Sequence, residues 1–225
     1  MSIMNCFGQT IYGRIEYKIQ SIDFSSKSNK TKINNVMGDL LKEANKQIFT
    51  IEFNNFRSKF TLNITLSTPS NNEQYKETIV KISSNRFTSD FNYYLDKKEN
   101  VVILEKTNGT LIKKKCDKKV WSITSESKMI DEYLCYKANY VKSYIGRDGK
   151  EKNITIIAWF APSLPYAYGP KDYNGLPGLI LELTEKETTY YASKINVNKD
   201  REVKIDFPKG KMITEEEYNR KVLSN

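Results

Sequence analysis

The chain has 225 residues, 39% hydrophobic and 28% charged, with a formal net charge of +9. It contains no histidine, which removes Ser-His-Asp and Cys-His nucleophile arrangements, His-ligated zinc and imidazole acid–base catalysis together. Its 15 Tyr and 10 Phe are too many for a disordered chain, and no run approaches the ~20 apolar residues of a membrane-spanning helix.

Residues 1–10 read as the remnant of a signal peptide or a disordered N-terminus, with short apolar residues followed by Gly8-Gln9-Thr10 and no basic start. The alternative is a cytosolic protein with an irregular terminus. Asn5 stands where a lipidation site at Cys6 would need a small residue. Residues 11–225 read as one β domain. Tyr12 to Ile19 alternates, with Ile15, Tyr17 and Ile19 on one face of a first strand. Ser25 to Asn35 is a polar linker. Val36, Leu40, Leu41 and Ala44 then recur at helical spacing, with Asn34 or Asn35 as the cap.

Phe49, Ile51 and Phe53 alternate on odd positions, whereas Phe60, Leu62, Ile64 and Leu66 alternate on even ones, so a turn or bulge is expected at Asn54-Asn55. After a loop from Pro69 to Gln74, the segments Thr78–Ile82, Asn92–Asp96, Val101–Lys106 and Thr110–Lys115 read as short strands. Asn108-Gly109 is a hairpin turn between the last two. Lys113-Lys114-Lys115, with Lys118-Lys119 beyond, is the one tight basic cluster. A lysine-guarded strand edge accounts for it, and no RNA-recognition, zinc-finger or helix-turn-helix signature accompanies it, so no nucleic-acid partner is expected.

Trp121–Ile123 and Tyr133–Val141 read as the next pair of strands, with Val120–Thr124 expected to pair with Tyr133–Ala138 around a turn near Ser127-Lys128. That register sets Cys135 opposite Trp121 and Cys116 nearer Tyr140, so the two thiols do not face each other. Cys135 reads first as a small buried hydrophobe and second as a thiol with a redox or metal role. Gly146-Arg147-Asp148-Gly149 turns the chain into the strand Ile154–Phe160.

The segment from Gly169 to Ile180 is dense in residues with special backbones. Pro170 and Pro177 fix φ and bias the residue before them away from the helical region, while Gly175 and Gly178 permit φ > 0 or close backbone approach. It reads as a shaped loop delivering a buried strand, Leu179–Leu183. Thr189–Asn196 and Glu202–Ile205 follow as strands, and Thr214 to Glu217 has the capping-box pattern of a short C-terminal helix. The fold expected from these elements is mainly β: one antiparallel sheet of roughly ten strands with one or two short helices.

Gly175-Leu176-Pro177-Gly178-Leu179-Ile180 matches the hexapeptide that names the GLPGLI family, Porphyromonas-type envelope proteins of Bacteroidetes. Trp121-Ser122-Ile123, Ser127-Lys128-Met129-Ile130, Cys135-Tyr136-Lys137-Ala138, Ala158-Trp159-Phe160, Leu164-Pro165 and Gly169-Pro170 follow the order seen in that family. Pro208-Lys209-Gly210-Lys211 to Thr214-Glu215-Glu216 also resembles the family's ending. Phe160 stands where Tyr is common, and Gly146–Asn153 lengthens one hairpin. The resemblance implies an exported, periplasmic or otherwise extracytoplasmic protein of no settled biochemical function, in a family of which some members occur alongside TonB-dependent outer-membrane transport systems. By analogy, the family's strand-rich pattern is similar to the curved half-barrel of periplasmic lipoprotein carriers, which implies a single curved, half-barrel-like antiparallel sheet.

Of two non-catalytic functions compatible with these residues, the binding module is the expectation and the docking protein the alternative. The first is a module whose curved sheet encloses a hydrophobic or other small ligand. Trp159, Phe160, Tyr166, Tyr168, Tyr173 and Leu176 would line or gate it, and Gly169-Pro170 and Gly175 to Gly178 would shape its lid. The other is an accessory protein docking on an outer-membrane partner through the stiff loop that ends in Pro177, Gly178, Leu179 and Ile180. A plainer reading makes the aromatics core and the glycines turn. Asp172, Glu182, Glu185 and Glu187 have no flanking chemistry that singles out a catalytic pair, and a Cys135 nucleophile would need Lys137 or Arg147 to lower its pKa. No enzyme activity, metal or cofactor is therefore expected. An apolar cavity of several hundred Å³ would favour the carrier and a packed interior the docking protein.

Overall fold

A computed structural model describes residues 11–21, 31–63, 73–146, 149–198 and 203–223. The expectations for residues 1–10, most of the 25–35 linker, the loop after Pro69, and Arg147-Asp148 lie outside the described residues. In chain order the elements are β1 (Tyr12–Ser21), α1 (Thr31–Lys46), β2 (Ile48–Phe53), β3 (Arg57–Leu62), α2 (Glu73–Phe87), β4 (Phe91–Asp96), β5 (Val101–Lys106) and β6 (Leu111–Lys115). There follow β7 (Ser122–Ile130), β8 (Tyr133–Ile145), β9 (Glu151–Ala161), β10 (Leu179–Glu185), β11 (Thr188–Asn198), β12 (Met212–Thr214) and α3 (Glu215–Leu223). All strands join one 12-stranded sheet in the order β12-β6-β5-β4-β3-β2-β1-β11-β10-β9-β8-β7. Every pair is antiparallel except β12 with β6, and the sheet does not close into a barrel.

Period-2 alternation gives these strands a shared apolar inner face. Ile15, Ile51, Phe60, Tyr93, Leu104 and Ile112 stand abreast from β1 to β6. Ile19, Tyr190, Leu183, Ala158 and Ala138 continue that face from β1 to β8. Phe49 and Phe60 stack at 5.1 Å with the Tyr190 edge against both, and the buried Tyr17 hydroxyl donates to the Ile180 carbonyl at 2.6 Å. Packing at this density is the main source of stability in such a sheet.

The sheet is strongly curled. At a strand spacing of about 4.8 Å, a flat sheet would separate β6 from β8 by roughly 40 Å. Yet Lys114 of β6 reaches Asp172 at 3.3 Å, and Lys142 of β8 lies over the ring of the next residue, Tyr173, at 5.9 Å. Both flanks therefore close on one loop, as the half-barrel-like expectation required.

α1 and α2 pack together through Leu40, Leu41, Ala44 and Phe87. Ser83 Oγ donates to the Leu40 carbonyl at 2.9 Å, Gln47 bridges Ser84 and Thr88, and Thr188 Oγ1 of β11 donates to the Phe87 carbonyl at 2.5 Å. The helix pair is thereby fastened to the sheet at the β10–β11 turn.

Several local expectations are corrected. Thr78–Ile82 lies within α2, where Ile79, Ser83 and Phe87 recur every fourth residue toward α1; the short Ile79-Val80 run is ambiguous between the two periods. α1 begins at Thr31, so Asn34 and Asn35 are internal and do not cap it. β7 runs on through the polar stretch expected to turn at Ser127-Lys128, and the turn comes at Asp131-Glu132, with Asp131 at φ 49°. Cys135 consequently faces Lys128 rather than Trp121, and both Cys116 and Cys135 are free thiols. Residues 203–205 form no strand; Ile205 is nonetheless buried, and Phe207 packs on Tyr94 and beneath the Arg57 guanidinium. The Asn54 turn, the Asn108-Gly109 hairpin and the Thr214–Glu217 capping box, closed by reciprocal bonds of 2.8 and 3.2 Å, form as expected. Among the described residues, no helix is long and apolar enough to cross a membrane.

Candidate functional site

The curled sheet surrounds the chain between β9 and β10, residues 162–178. Its path is set by backbone bonds: Leu179 N donates to Leu164 O and Ile180 N to Tyr168 O, both at 2.9 Å, and Tyr168 bridges Asn174 across the loop. Tyr166 and Tyr168 lie on Phe53 at 5.3 and 5.1 Å between ring centroids. Gly175 adopts φ 94°, a conformation that strains other residues. A Cβ at Gly178 would lie 2.3 Å from the Ala161 carbonyl oxygen, so this glycine is there for close backbone approach. These are the two uses of glycine that the sequence suggested.

At the inner end of the loop, Lys171 (φ 57°) forms an ion pair with Glu185 of β10. Tyr173 donates its hydroxyl to Glu185 Oε1 at 2.9 Å, and Lys142 Nζ lies 3.4 Å from that oxygen. Asp172 is held by Lys114 at 3.3 Å and Lys119 at 3.7 Å. Trp121 Nε1 donates to the Asn174 carbonyl at 2.9 Å and tilts against Tyr140 at 5.5 Å. Burial alone would raise both carboxyls. The ammoniums of Lys119, Lys114 and Lys142 around Asp172, and of Lys171 and Lys142 around Glu185, outweigh it and pull each down to about 2. Burial would lower Lys171, but Tyr190, Glu185 and Tyr93 hold it well above its ordinary value. Asp172, Glu185 and Lys171 are thus all charged at neutral pH. The geometry of the cluster pins the loop to both flanks of the sheet.

The residues singled out from sequence fall into distinct places. Phe160, Gly169, Pro170, Tyr173, Leu176, Gly178, Leu179 and Ile180 are buried, and only Gly175 and Pro177 of the hexapeptide are exposed. Trp159 stands on the opposite sheet face, half-buried, with Lys128 Nζ 4.5 Å above its ring. Cys135 is buried on that same outer face; its thiol donates weakly to the Tyr133 carbonyl at 3.6 Å, and burial pushes its pKa up to about 11, the reverse of an activated nucleophile. Tyr166 and Tyr168 are core, in contact with Phe53.

Two surface hollows stand out. One of about 570 Å³ is lined by Asn54, Arg57, Asp96, Glu99 and Val203 among others, and one of about 450 Å³ by Glu99, Asn100, Val101 and Lys113 to Lys115. Neither includes a residue between 159 and 180. Beside them, Lys97 rests its ammonium 3.4 Å from the Tyr168 ring centroid, and burial lowers its pKa to about 8. Lys97, Lys142 and Lys171 are not singled out by the sequence, whereas Lys114 and Lys119, expected at a lysine-guarded strand edge, turn inward to Asp172 and are 17% and 5% exposed. The signal for two of them was present: Lys114 is two residues beyond the inward Ile112, and Lys142 is two beyond Tyr140.

A family model described as "Protein of unknown function (Porph_ging)" matches residues 146–182, the stretch that holds β9, the inserted loop and the start of β10. No curated protein matches the chain. Among solved structures, one titled "Structure of PNGF-II in C2 space group" aligns with a TM-score of 0.53 at 15% identity, over 95% of this chain and 32% of that one. This likeness is one of fold, and the chain spans about a third of the length of that neighbour. The matched stretch includes the plug, and the family that the model describes has no assigned function.

Proposed function

We propose that this protein is a non-catalytic interaction module of the GLPGLI type, exported to the cell envelope, which engages a partner protein through its outer surface. The observation that supports this reading is the filled interior. Tyr166, Tyr168, Tyr173 and Leu176, the side chains suited to line a ligand cavity, occupy the space such a ligand would need. Opening a cavity there would mean withdrawing a loop that two buried carboxylates and four lysines hold in place. Export and the GLPGLI assignment rest on the hexapeptide and its ordered flanking motifs, together with the match across residues 146–182.

Two measurements test the reading. Mass spectrometry of an organic extract from protein purified out of native envelopes, beside a mock purification, is expected to find no stoichiometric hydrophobic compound. Cross-linking in intact cells, followed by fractionation, is expected to give a discrete protein adduct in the envelope. A stoichiometric lipid, lost on substituting Leu176, would establish the carrier and overturn the module.

A further inference from the structure

Of the nine exposed large hydrophobic residues among those described, six fall between positions 120 and 145: Val120, Ile123, Met129, Leu134, Val141 and Ile145. They belong to the terminal hairpin of the sheet, β7–β8, or lead into it. The pairing of β7 with β8 runs from Ile130↔Tyr133 to Ser122↔Asn139 and ends there. β8 continues to Ile145, paired on its other side with β9 without interruption. Residues Tyr140–Ile145 therefore have no strand beside them on the outer side among the described residues. Val141 and Ile145, 59% and 69% exposed, project from this ledge on one face.

The usual guards of a sheet edge are weak here. On β7, Lys128 turns back to Glu182 at 2.7 Å, and Glu126 is held by Lys137 at 2.9 Å, so both charges are committed to the sheet's own residues. A bulge between Ile123 and Ser127 interrupts β7, but the ledge on β8 lies beyond it. The opposite edge is treated differently. There β12 is three residues long and leads straight into α3, whose Tyr218 packs on Phe91 and accepts a hydrogen bond from Lys106 at 3.1 Å. One edge is shielded and the other is left available.

Charge selects the occupant. In the segment 113–119, which leads to the start of β7, Lys114 and Lys119 are committed to Asp172, but Lys113, Lys115 and Lys118 are exposed against the single acid Asp117, and the chain as a whole is +9. Such a field steers acidic segments toward the ledge. We propose that the Tyr140–Ile145 stretch of β8 is a docking edge, and that it takes an extended, acidic segment of a partner protein with apolar residues at alternate positions, added as a further strand in line with β7. Main-chain bonds supply register, Val141 and Ile145 supply the apolar contact, and the lysine-rich approach supplies the sign of charge. This inference rests on the interaction-module reading.

The test uses the whole protein and three synthetic octapeptides: alternating Val and Glu, alternating Val and Lys, and a scrambled Val/Glu peptide. Binding is read by fluorescence anisotropy, and the site by amide hydrogen exchange. The Val/Glu peptide is expected to bind, to slow exchange within residues 140–145, and to bind at least tenfold more tightly than the other two. Val141→Asp with Ile145→Asp should weaken it at least tenfold; both side chains are exposed, and an unchanged thermal melt checks the fold. No protection at residues 140–145, protection elsewhere, or indifference to peptide charge would overturn the proposal. So would a concentration-dependent dimer of the protein alone that protects the same residues, since the occupant would then be a second copy. If the peptides fail while cellular cross-links still map a partner to another surface, the docking edge is wrong and the interaction module stands. A stoichiometric lipid in the extract would remove the module itself.

Discussion

Replacing Glu185 with Gln removes the central acceptor of the interior cluster while keeping its shape. Lys171 and Glu185 are each only 12% exposed, so the substitution leaves an ammonium buried beside Tyr190 without its counter-charge. Breaking such a pair from one side costs about 3–5 kcal/mol, far more than a surface ion pair. Gln can still accept from Tyr173, and Lys142, partly exposed, can turn to water, so about 3 kcal/mol is expected. In urea at pH 7, with a slope of about 2 kcal/mol/M, the unfolding midpoint should fall by roughly 1.5 M. The pH dependence supplies an independent check. The Glu185 pKa is lowered in the folded protein from 4.5 to about 2, so its stabilisation is complete above the unfolded value and lost as pH falls through the folded one. The gap between wild type and Glu185→Gln should therefore stay constant from pH 7 to about 5, then close between pH 4.5 and 2. Lys171→Met combined with Glu185→Leu should recover most of the loss, because no charge is left buried. A loss below about 0.5 kcal/mol, or a gap indifferent to acid, would refute the view that this pair pins the loop.

Gly178→Ala drives a methyl against the Ala161 carbonyl and should abolish soluble, folded protein, whereas Gly175→Ala meets open space and should cost only about 1 kcal/mol in denaturant, through its positive φ. Lys97 should acylate with a titration midpoint near 8 when acetic anhydride labelling is followed by mass spectrometry, well ahead of exposed lysines. Because its folded pKa lies below the ordinary 10.5, it should also make the protein more stable as pH rises from 8 toward 10.5, a trend that Lys97→Met removes. Thr214→Ala should cost about 1 kcal/mol of local stability, seen as faster amide exchange confined to α3.

The fold was legible wherever alternation was regular and one face was dry. β1, β2, β9 and β10 announce themselves because each places Ile, Leu, Phe or Tyr on every second residue against the same core. The polar β7 was cut short because, at the sheet's edge, it has few buried positions to reveal a period. α2 is hidden for a different reason, since its described apolar residues, Ile79 and Phe87, are few and pack with α1. The loop was recognised as shaped, and its glycines were read for the right physical causes, but its destination was hidden. That Lys114 and Asp172 meet depends on the curl of ten strands, and curl accumulates from small twists that no single stretch of sequence records.

The order of strands also dictates when this protein can fold. β1 sits in the middle of the sheet between β2 and β11, with Tyr12 opposite Asn198. β1 thus waits for β11, and the strands are divided into two half-sheets that have no seam until β11 arrives. Closing a loop of that length before any contact rewards it makes for slow folding. A polypeptide that lacks β11 stays pliable, and the sheet sets only once the entire β1–β11 span is present together.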